Sequence, residues 1–233
     1  MVVSAEALLK KGKGVLTVEE SKAVLRAAGI RTNRSGMAGN PEEAARLAEE
    51  MGFPVVMKIV SPQIVHKTEA GGVETGINTA EDAARAFTSI VKRAEAYSPE
   101  AEIKGVLVEE MAGGVEMIVG AARDPTFGHL IMFGLGGIFV EVFRDVSFRV
   151  IPIGERDALD MIDEIRGRAV IDGVRGQRGV SREGIAEVLL AVSGLVERNP
   201  QIRELDINPL MGDGDSVVAV DARIVLEGVK GDG

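Results

Sequence analysis

The strongest constraint on this chain is the order of signals in its first half, where helix starts alternate with apolar runs of strand length. Thr17-Val18-Glu19-Glu20 is a capping box: Thr17 can accept from a first-turn N–H while Glu20 reaches back to the cap. Val18, Ala23, Val24 and Leu25 carry that helix to a stop at Gly29. Asn40-Pro41-Glu42-Glu43 starts a second helix, with proline at the first helical position, where its missing N–H costs nothing. That helix ends near Gly52, and residues 54–60, Pro-Val-Val-Met-Lys-Ile-Val, read as a buried strand. After a loop holding Gly71, Gly72 and Gly76, a third helix begins near Thr79, with Ala83, Ala86, Phe87, Ile90, Val91 and Ala94 on one side.

At residue 105 the pattern changes. Residues 105–111 and 116–122 read as successive strands, Asp124-Pro125 as a turn, and 129–133 and 138–142 as a continuing sheet. Two helices are expected over 156–166 and 181–198, then a hairpin of 204–210 and 217–221 about a turn at 212–214. The expectation is an α/β chain of two α+β lobes, 1–104 and 105–233, with a loose tail over 228–233.

Composition removes several functions. With no cysteine among 233 residues there is no disulfide, thiolate metal site or cysteine nucleophile. Two histidines, His66 and His129, argue against a His-rich metal centre. A net charge of −9 offers no basic face for nucleic acid, and 3% aromatics with no Trp offer no platform for stacked bases. An anionic ligand remains compatible, because local lysines and backbone N–H groups can dominate a cleft. No apolar stretch approaches the roughly 20 residues of a membrane span, and the N-terminal lysines follow a short apolar run, the reverse of a signal peptide. The expected location is the cytoplasm.

Neither GxxxxGK[ST] nor a GxGxxG after a strand is present, so the common phosphate fingerprints are missing. Lys58 is the one charge in an apolar strand. Alone it reads equally as a snorkelling lysine or a phosphate ligand, and its neighbours favour the second. Those neighbours are His66-Lys-Thr-Glu-Ala-Gly71-Gly72-Val: glycines let backbone approach phosphate, and a neutral imidazole is a competent phosphoryl acceptor. His129 opens an apolar strand and reads as structural. Glu109, Glu110 and Glu116 flank a strand junction, either as a solvated strand end or as ribose and adenine contacts. Asp206 and Asn208 share a strand face, and the hairpin sets Asn208 roughly opposite Asp221. Amide and carboxylate oxygens are the hard ligands Mg²⁺ prefers; the plainer alternative is a turn-stabilising Asn-Pro and a strand-ending Asp. Gly134-Leu-Gly-Gly137 marks a bulge or a close approach and is given no ligand.

Lys58, the HKTEAGGV loop, VEEM at 108–111, Glu116 and DINPL…VDAR over 206–223 occur together and in order. This combination resembles the ATP-grasp superfamily, and most closely the β subunits of ADP-forming acetyl-CoA synthetases in the NDP-forming acyl-CoA synthetase group. The GLGGIFVEVFRDVSFR segment from Gly134 is similar too, and the resemblance runs over residues 5–227. It implies an ATP-grasp fold of two lobes with the nucleotide cleft between them. It also implies the reaction acyl-CoA + ADP + phosphate ⇌ carboxylic acid + CoA + ATP. By position, His66 matches a second phosphoryl carrier. Lys58 would bind ATP or ADP phosphates beside Gly71 and Gly72. Glu109 and the backbone of Glu110 and Met111 would meet adenine, and Glu116 the sugar. Asn208 and Asp221 would hold Mg²⁺. A partner α subunit, as α₂β₂, would carry the CoA and acyl-phosphate sites, since no CoA-binding fingerprint is present here. The rival readings are an ATP-grasp ligase that makes acyl phosphate directly, a nucleotide-sensing module and, most plainly, an α/β binding protein with no nucleotide. The HKTEAGGV loop disfavours the first and the intact ligand set the second.

Overall fold

The computed structural model describes residues 4–10, 14–64, 66–137, 143–174, 176 and 178–227. In chain order the elements are α1 (Ala5–Leu9), β1 (Gly14–Val15), α2 (Val18–Ala27), β2 (Ser35–Ala38), α3 (Pro41–Met51), β3 (Val55–Val60), β4 (Val73–Ile77), α4 (Ala80–Tyr97) and β5 (Gly105–Glu110). Then come β6 (Val115–Asp124), β7 (Gly128–Leu135), β8 (Val146–Val150), α5 (Glu155–Asp163), α6 (Ala169–Asp172), α7 (Arg182–Arg198), β9 (Ile202–Asp213), β10 (Ser216–Ala219) and β11 (Ala222–Leu226). They form two compact units, Asn33–Met111 and Met1–Thr32 with Ala112–Gly233.

The Asn33–Met111 unit is a four-stranded antiparallel sheet, ordered β2-β5-β3-β4, packed against α3 and α4. Both helices start at the predicted caps. The Asn40 side chain accepts from the Glu43 N–H at 2.8 Å, and Thr79 accepts from the Asp82 N–H at 3.1 Å. Ala83, Ala86, Phe87, Ile90 and Ala94 of α4 close over Val55, Met57, Ile59, Val106 and Val108.

The other unit is built on a seven-stranded antiparallel sheet, ordered β1-β11-β9-β6-β7-β8, with β10 hydrogen-bonded to β9. Ile185, Val188, Leu189, Val192, Leu195 and Val196 of α7 fill its core with Met117, Val119, Phe133 and Ile207. Residues 1–32 belong here, because β1 pairs with β11 and Val24 and Leu25 of the capped helix α2 enter the same core. The Thr17 N–H donates to Glu20 at 2.9 Å and Glu20 N–H to Thr17 at 3.2 Å, closing the capping box.

The expected lobes 1–104 and 105–233 therefore do not coincide with these units. Strand β5 pairs with β2 and β3, which carries the division to Met111, and β1 returns the N-terminal segment to the last strand. The helix expected over 156–166 stops at Asp163, and the chain then turns where Asp145 accepts the Arg166 and Gly167 N–H groups at 2.9 and 2.8 Å. The strand expected over 138–142 and the tail over 228–233 lie outside the described residues.

One irregularity shapes the site. Where β9 pairs with β6, Met117 faces Leu210 but Val119 faces Ile207, so β9 carries one extra residue at Asn208-Pro209. The buried positions shift accordingly, from Leu205 and Ile207 to Leu210 and Gly212. Such a bulge leaves a residue out of the ladder, which is where a proline without an N–H is tolerated in a sheet.

Candidate functional site

In the Asn33–Met111 unit, Val55, Met57 and Ile59 point into the core, which leaves Lys58 on the opposite face of β3. Val56 faces Glu109 across the β3–β5 pair, so the Glu109 side chain shares the face of Lys58. Lys58 Nζ lies 2.5 Å from Glu109 Oε2, and the two side chains are 32% and 4% exposed. A carboxylate this buried requires partners, and Lys58 supplies one.

Lys58 also opens into a cavity of about 440 Å³ lined by His66, Lys67, Thr68, Glu69 and Val73. Strand pairing explains the proximity: Val73, at the far end of the loop, is the register partner of Lys58. His66 is 74% exposed, with Nδ1 3.9 Å from Glu69 Oε1. The loop folds on itself. Gly71 N–H donates to Thr68 O at 3.0 Å, Gly72 N–H to Lys67 O at 2.7 Å, and Gly72 O accepts from Ile59 N–H at 2.7 Å. Gly71 has φ +62°, and a Cβ at Gly72 would fall 2.4 Å from Ile59 Cγ2. These glycines thus allow a tight loop pinned to β3, with their N–H groups spent inside it rather than presented to phosphate as the sequence suggested.

Glu110 and Met111 are held by the chain entering the unit. Glu110 Oε2 accepts from Arg34 Nε at 3.1 Å, Glu110 N–H donates to Arg34 O at 2.9 Å, and Glu110 O accepts from Asn33 Nδ2 at 3.1 Å. Met111 N–H donates to Pro54 O at 3.2 Å, while its side chain is exposed. The N–H groups of both residues are engaged, so any further backbone contact falls to the carbonyl oxygens, of which that of Glu110 already accepts from Asn33.

In the other unit, Met117, Val119 and Ala121 of β6 face the helices, and Glu116 stands on the opposite face. Asp206 shares that face through its pairing with Gly120, and Asn208, in the bulge, lies beyond the inward-facing Ile207. Asn208 N–H donates to Asp221 O at 3.3 Å, within the register set by Leu210 opposite Ala219 and Ile207 opposite Ala222. The expected juxtaposition of Asn208 and Asp221 is present, although the hairpin turns one step later, with Asp213 paired to Ser216. Asp206 faces Arg223 on one side and Gly120 on the other, where a Cβ would lie 3.8 Å from Asp206 Oδ1. Burial, and then the Asp221 charge, push the Asp206 carboxyl above its ordinary value, against the pull of Arg223.

The residue types fit Mg²⁺: two carboxylates close enough to repel each other, a repulsion a divalent cation would relieve, and an amide on the adjoining residue, with Asp221 Oδ1 accepting the Ala222 N–H at 2.7 Å. Among the described residues no group of three or more His, Cys, Asp or Glu could hold a metal, so a Mg²⁺ site here would need the Asn208 amide beside the carboxylates. Sequence reasoning placed Asp206 on this face without including it in the donor set. Glu116 is crowded by residues 134–137: Gly136 N–H donates to Glu116 O at 2.7 Å, and a Cβ at Gly136 would fall 2.5 Å from Glu116 Cγ. The glycine run is thus a close approach. His129 Nε2 lies 2.7 Å from Ile202 O, in keeping with a structural histidine.

Residues 7–226 match the ATP-grasp domain profile. The chain is 46% identical over 229 residues to the acetate–CoA ligase (ADP-forming) I subunit beta of Pyrococcus furiosus, covering 97% of this chain and 99% of that one. It is 43% identical over 222 residues to acetate–CoA ligase (ADP-forming) I of Archaeoglobus fulgidus, covering 95% of this chain and 32% of that longer protein. Among solved structures, the dinucleotide-forming acetyl-coenzyme A synthetase 1 of Candidatus Korarchaeum cryptofilum, with coenzyme A, Ca-AMPCP and HgCl⁺, superposes with a TM-score of 0.86 at 42% identity, covering 97% of this chain and 100% of that chain. The same protein with coenzyme A and Mg-AMPPCP, its phosphohistidine segment pointing towards the nucleotide binding site, gives 0.82 at 38% identity, covering 96% and 100%.

Proposed function

The chain belongs to the ATP-grasp domain family, and on that premise we propose that it is the nucleotide-binding β subunit of an ADP-forming acyl-CoA synthetase, acetate–CoA ligase in type. The reaction is acyl-CoA + ADP + phosphate ⇌ carboxylic acid + CoA + ATP. The observation that carries this reading is the cavity that joins Lys58 to His66, a cation for phosphate beside a phosphoryl acceptor. The near end-to-end identity to the Pyrococcus subunit supports it.

Lys58 meets the nucleotide phosphates, and its charge offsets theirs during transfer. The neutral His66 imidazole takes the phosphoryl group on a ring nitrogen, forming a P–N bond as the donor's bond to phosphorus breaks. Transfer to the terminal oxygen of ADP breaks that P–N bond, forms ATP and restores the imidazole. Asn208 and Asp221, with Asp206 beside them, hold Mg²⁺, which neutralises charge on the phosphate oxygens. Glu116 contacts the nucleotide sugar. Glu110, through its carbonyl, and Met111 lie against adenine. Gly71 and Gly72 keep the His66 loop tight against β3. A separate α subunit carries the CoA and acyl-phosphate sites in an α₂β₂ assembly; the name of the Pyrococcus relative, a subunit beta, supports the separate partner alone. No described helix is long and apolar enough to cross a membrane; with CoA esters and nucleotides as substrates, the enzyme works in the cytoplasm.

The test is ATP formation from acetyl-CoA, ADP, phosphate and Mg²⁺ with this chain and its partner subunit, together and apart. ATP appears only when both are present. ATP from the partner alone, or none from the pair although Mg-ADP binds, contradicts the reading.

A further inference from the structure

The pairing of Lys58 with Glu109 gives Glu109 a role other than the adenine contact its position suggested. Glu109 is buried, lies on the face of β5 that adjoins Lys58, and places Oε2 2.5 Å from Nζ. Lysine is a point charge on a flexible four-carbon stem with three ammonium donors. Left alone in a half-open position, it would sweep a wide volume. Here one donor is held by a buried carboxylate, and the 32% of the Lys58 side chain that stays exposed opens into the cavity shared with His66, Lys67 and Thr68. Two donors remain for a ligand. A carboxylate that is 4% exposed has little surface left with which to touch a nucleoside directly.

We propose that Glu109 is a positioning residue for phosphoryl transfer: it holds the Lys58 ammonium at the mouth of the His66 cavity and acts on the nucleotide only through that lysine. The inference rests on the reading of Lys58 as a phosphate contact. It predicts that Glu109 matters for the phosphates in transit and not for the nucleoside. The opposing Coulombic effect, repulsion of phosphate by the Glu109 charge, falls on ground-state binding, so the loss is expected in kcat more than in the KM for ADP.

The experiment compares wild type, Glu109→Gln, Lys58→Met and the double variant. Adenosine and Mg-ADP binding are measured by calorimetry on this chain, and turnover is measured in the complex with its partner subunit. Glu109→Gln keeps the side-chain volume and a neutral acceptor, and the double variant removes both charges together, so neither leaves an unpaired buried ion. The expected result is adenosine affinity within twofold of wild type for Glu109→Gln, kcat at least tenfold lower, KM for ADP changed less than threefold, and no further loss when Glu109→Gln is added to Lys58→Met. If Lys58→Met is unfolded because the buried Glu109 loses this ion pair, Lys58→Gln, neutral but still able to donate to Glu109, takes its place in the cycle with the same expectation. Adenosine affinity that falls together with Mg-ADP affinity, multiplied losses in the double variant, or wild-type kcat for Glu109→Gln would each overturn the proposal. Wild-type Mg-ADP affinity and turnover for the lysine variant would instead overturn the phosphate role of Lys58.

Discussion

Asn208 donates its backbone N–H to the carbonyl of Asp221 over 3.3 Å, so two residues thirteen positions apart meet where β9 passes the start of β11. The bond is made by backbone atoms alone. Neither side chain takes part in this bond, so metal binding can be separated from strand pairing here, although Asp221 Oδ1 also accepts the Ala222 N–H at 2.7 Å. Asp221→Ala is expected to weaken Mg-ADP binding at least tenfold while leaving ADP binding in EDTA within twofold, with the melting temperature slightly lowered because the Ala222 N–H loses its acceptor. Equal losses with and without metal would remove Asp221 from the Mg²⁺ site.

Asp206 gives the donor set a pH signature. Burial and the Asp221 charge hold its proton more tightly in the folded chain than in the unfolded one, where the ordinary value is 3.8. The folded state binds more protons between that value and the raised one, so stability falls as pH rises through this window, and the charged carboxylate is a cost at neutral pH. Asp206→Asn is expected to melt above wild type at pH 7 without Mg²⁺, with the gap closing as the pH is lowered toward 3.8. Adding Mg²⁺ at pH 7 should narrow the gap by stabilising the wild type. A gap that widens on acidification would contradict this account.

Gly72 tests the His66 loop. A methyl group there meets Ile59 Cγ2 at 2.4 Å and the Lys67 carbonyl at 3.1 Å, and neither can move without disturbing β3 or the loop. Gly72→Ala is expected to cost about 1–3 kcal/mol of stability in chemical denaturation. It should also lower phosphoryl transfer, since the bond from Ile59 N–H to Gly72 O pins the loop beside Lys58. Wild-type stability and activity would show that the loop does not need to be tight.

The elements were legible wherever a local cause acts. The Thr17, Asn40 and Thr79 caps appear at the residues whose side chains can accept first-turn N–H groups. The apposition of Asn208 and Asp221 followed from strand alternation and a nearby glycine turn, because hairpin partners are close in sequence. The unit boundaries did not follow, since β1 finds its partner in β11, some two hundred residues on, and no periodicity announces such a pairing. The Lys58–Glu109 pair was hidden for the same reason: two side chains on strands β3 and β5 meet only once register is known. The bulge at Asn208-Pro209 could have been suspected from a proline inside a strand pattern, but its effect, a switch in which residues face the core, is visible only in the pairing with β6.

The central claim is that this chain passes a phosphoryl group between a histidine and a nucleotide, and incubation with γ-labelled Mg-ATP, with and without the partner subunit, tests it most directly by comparing wild type with His66→Ala. The account predicts label on this chain that is acid-labile and base-stable, is discharged to ATP by added ADP, and is absent from His66→Ala, which still binds Mg-ADP. Label that persists unchanged in His66→Ala, or no label on the wild-type chain under either condition while Mg-ADP is bound, would contradict it.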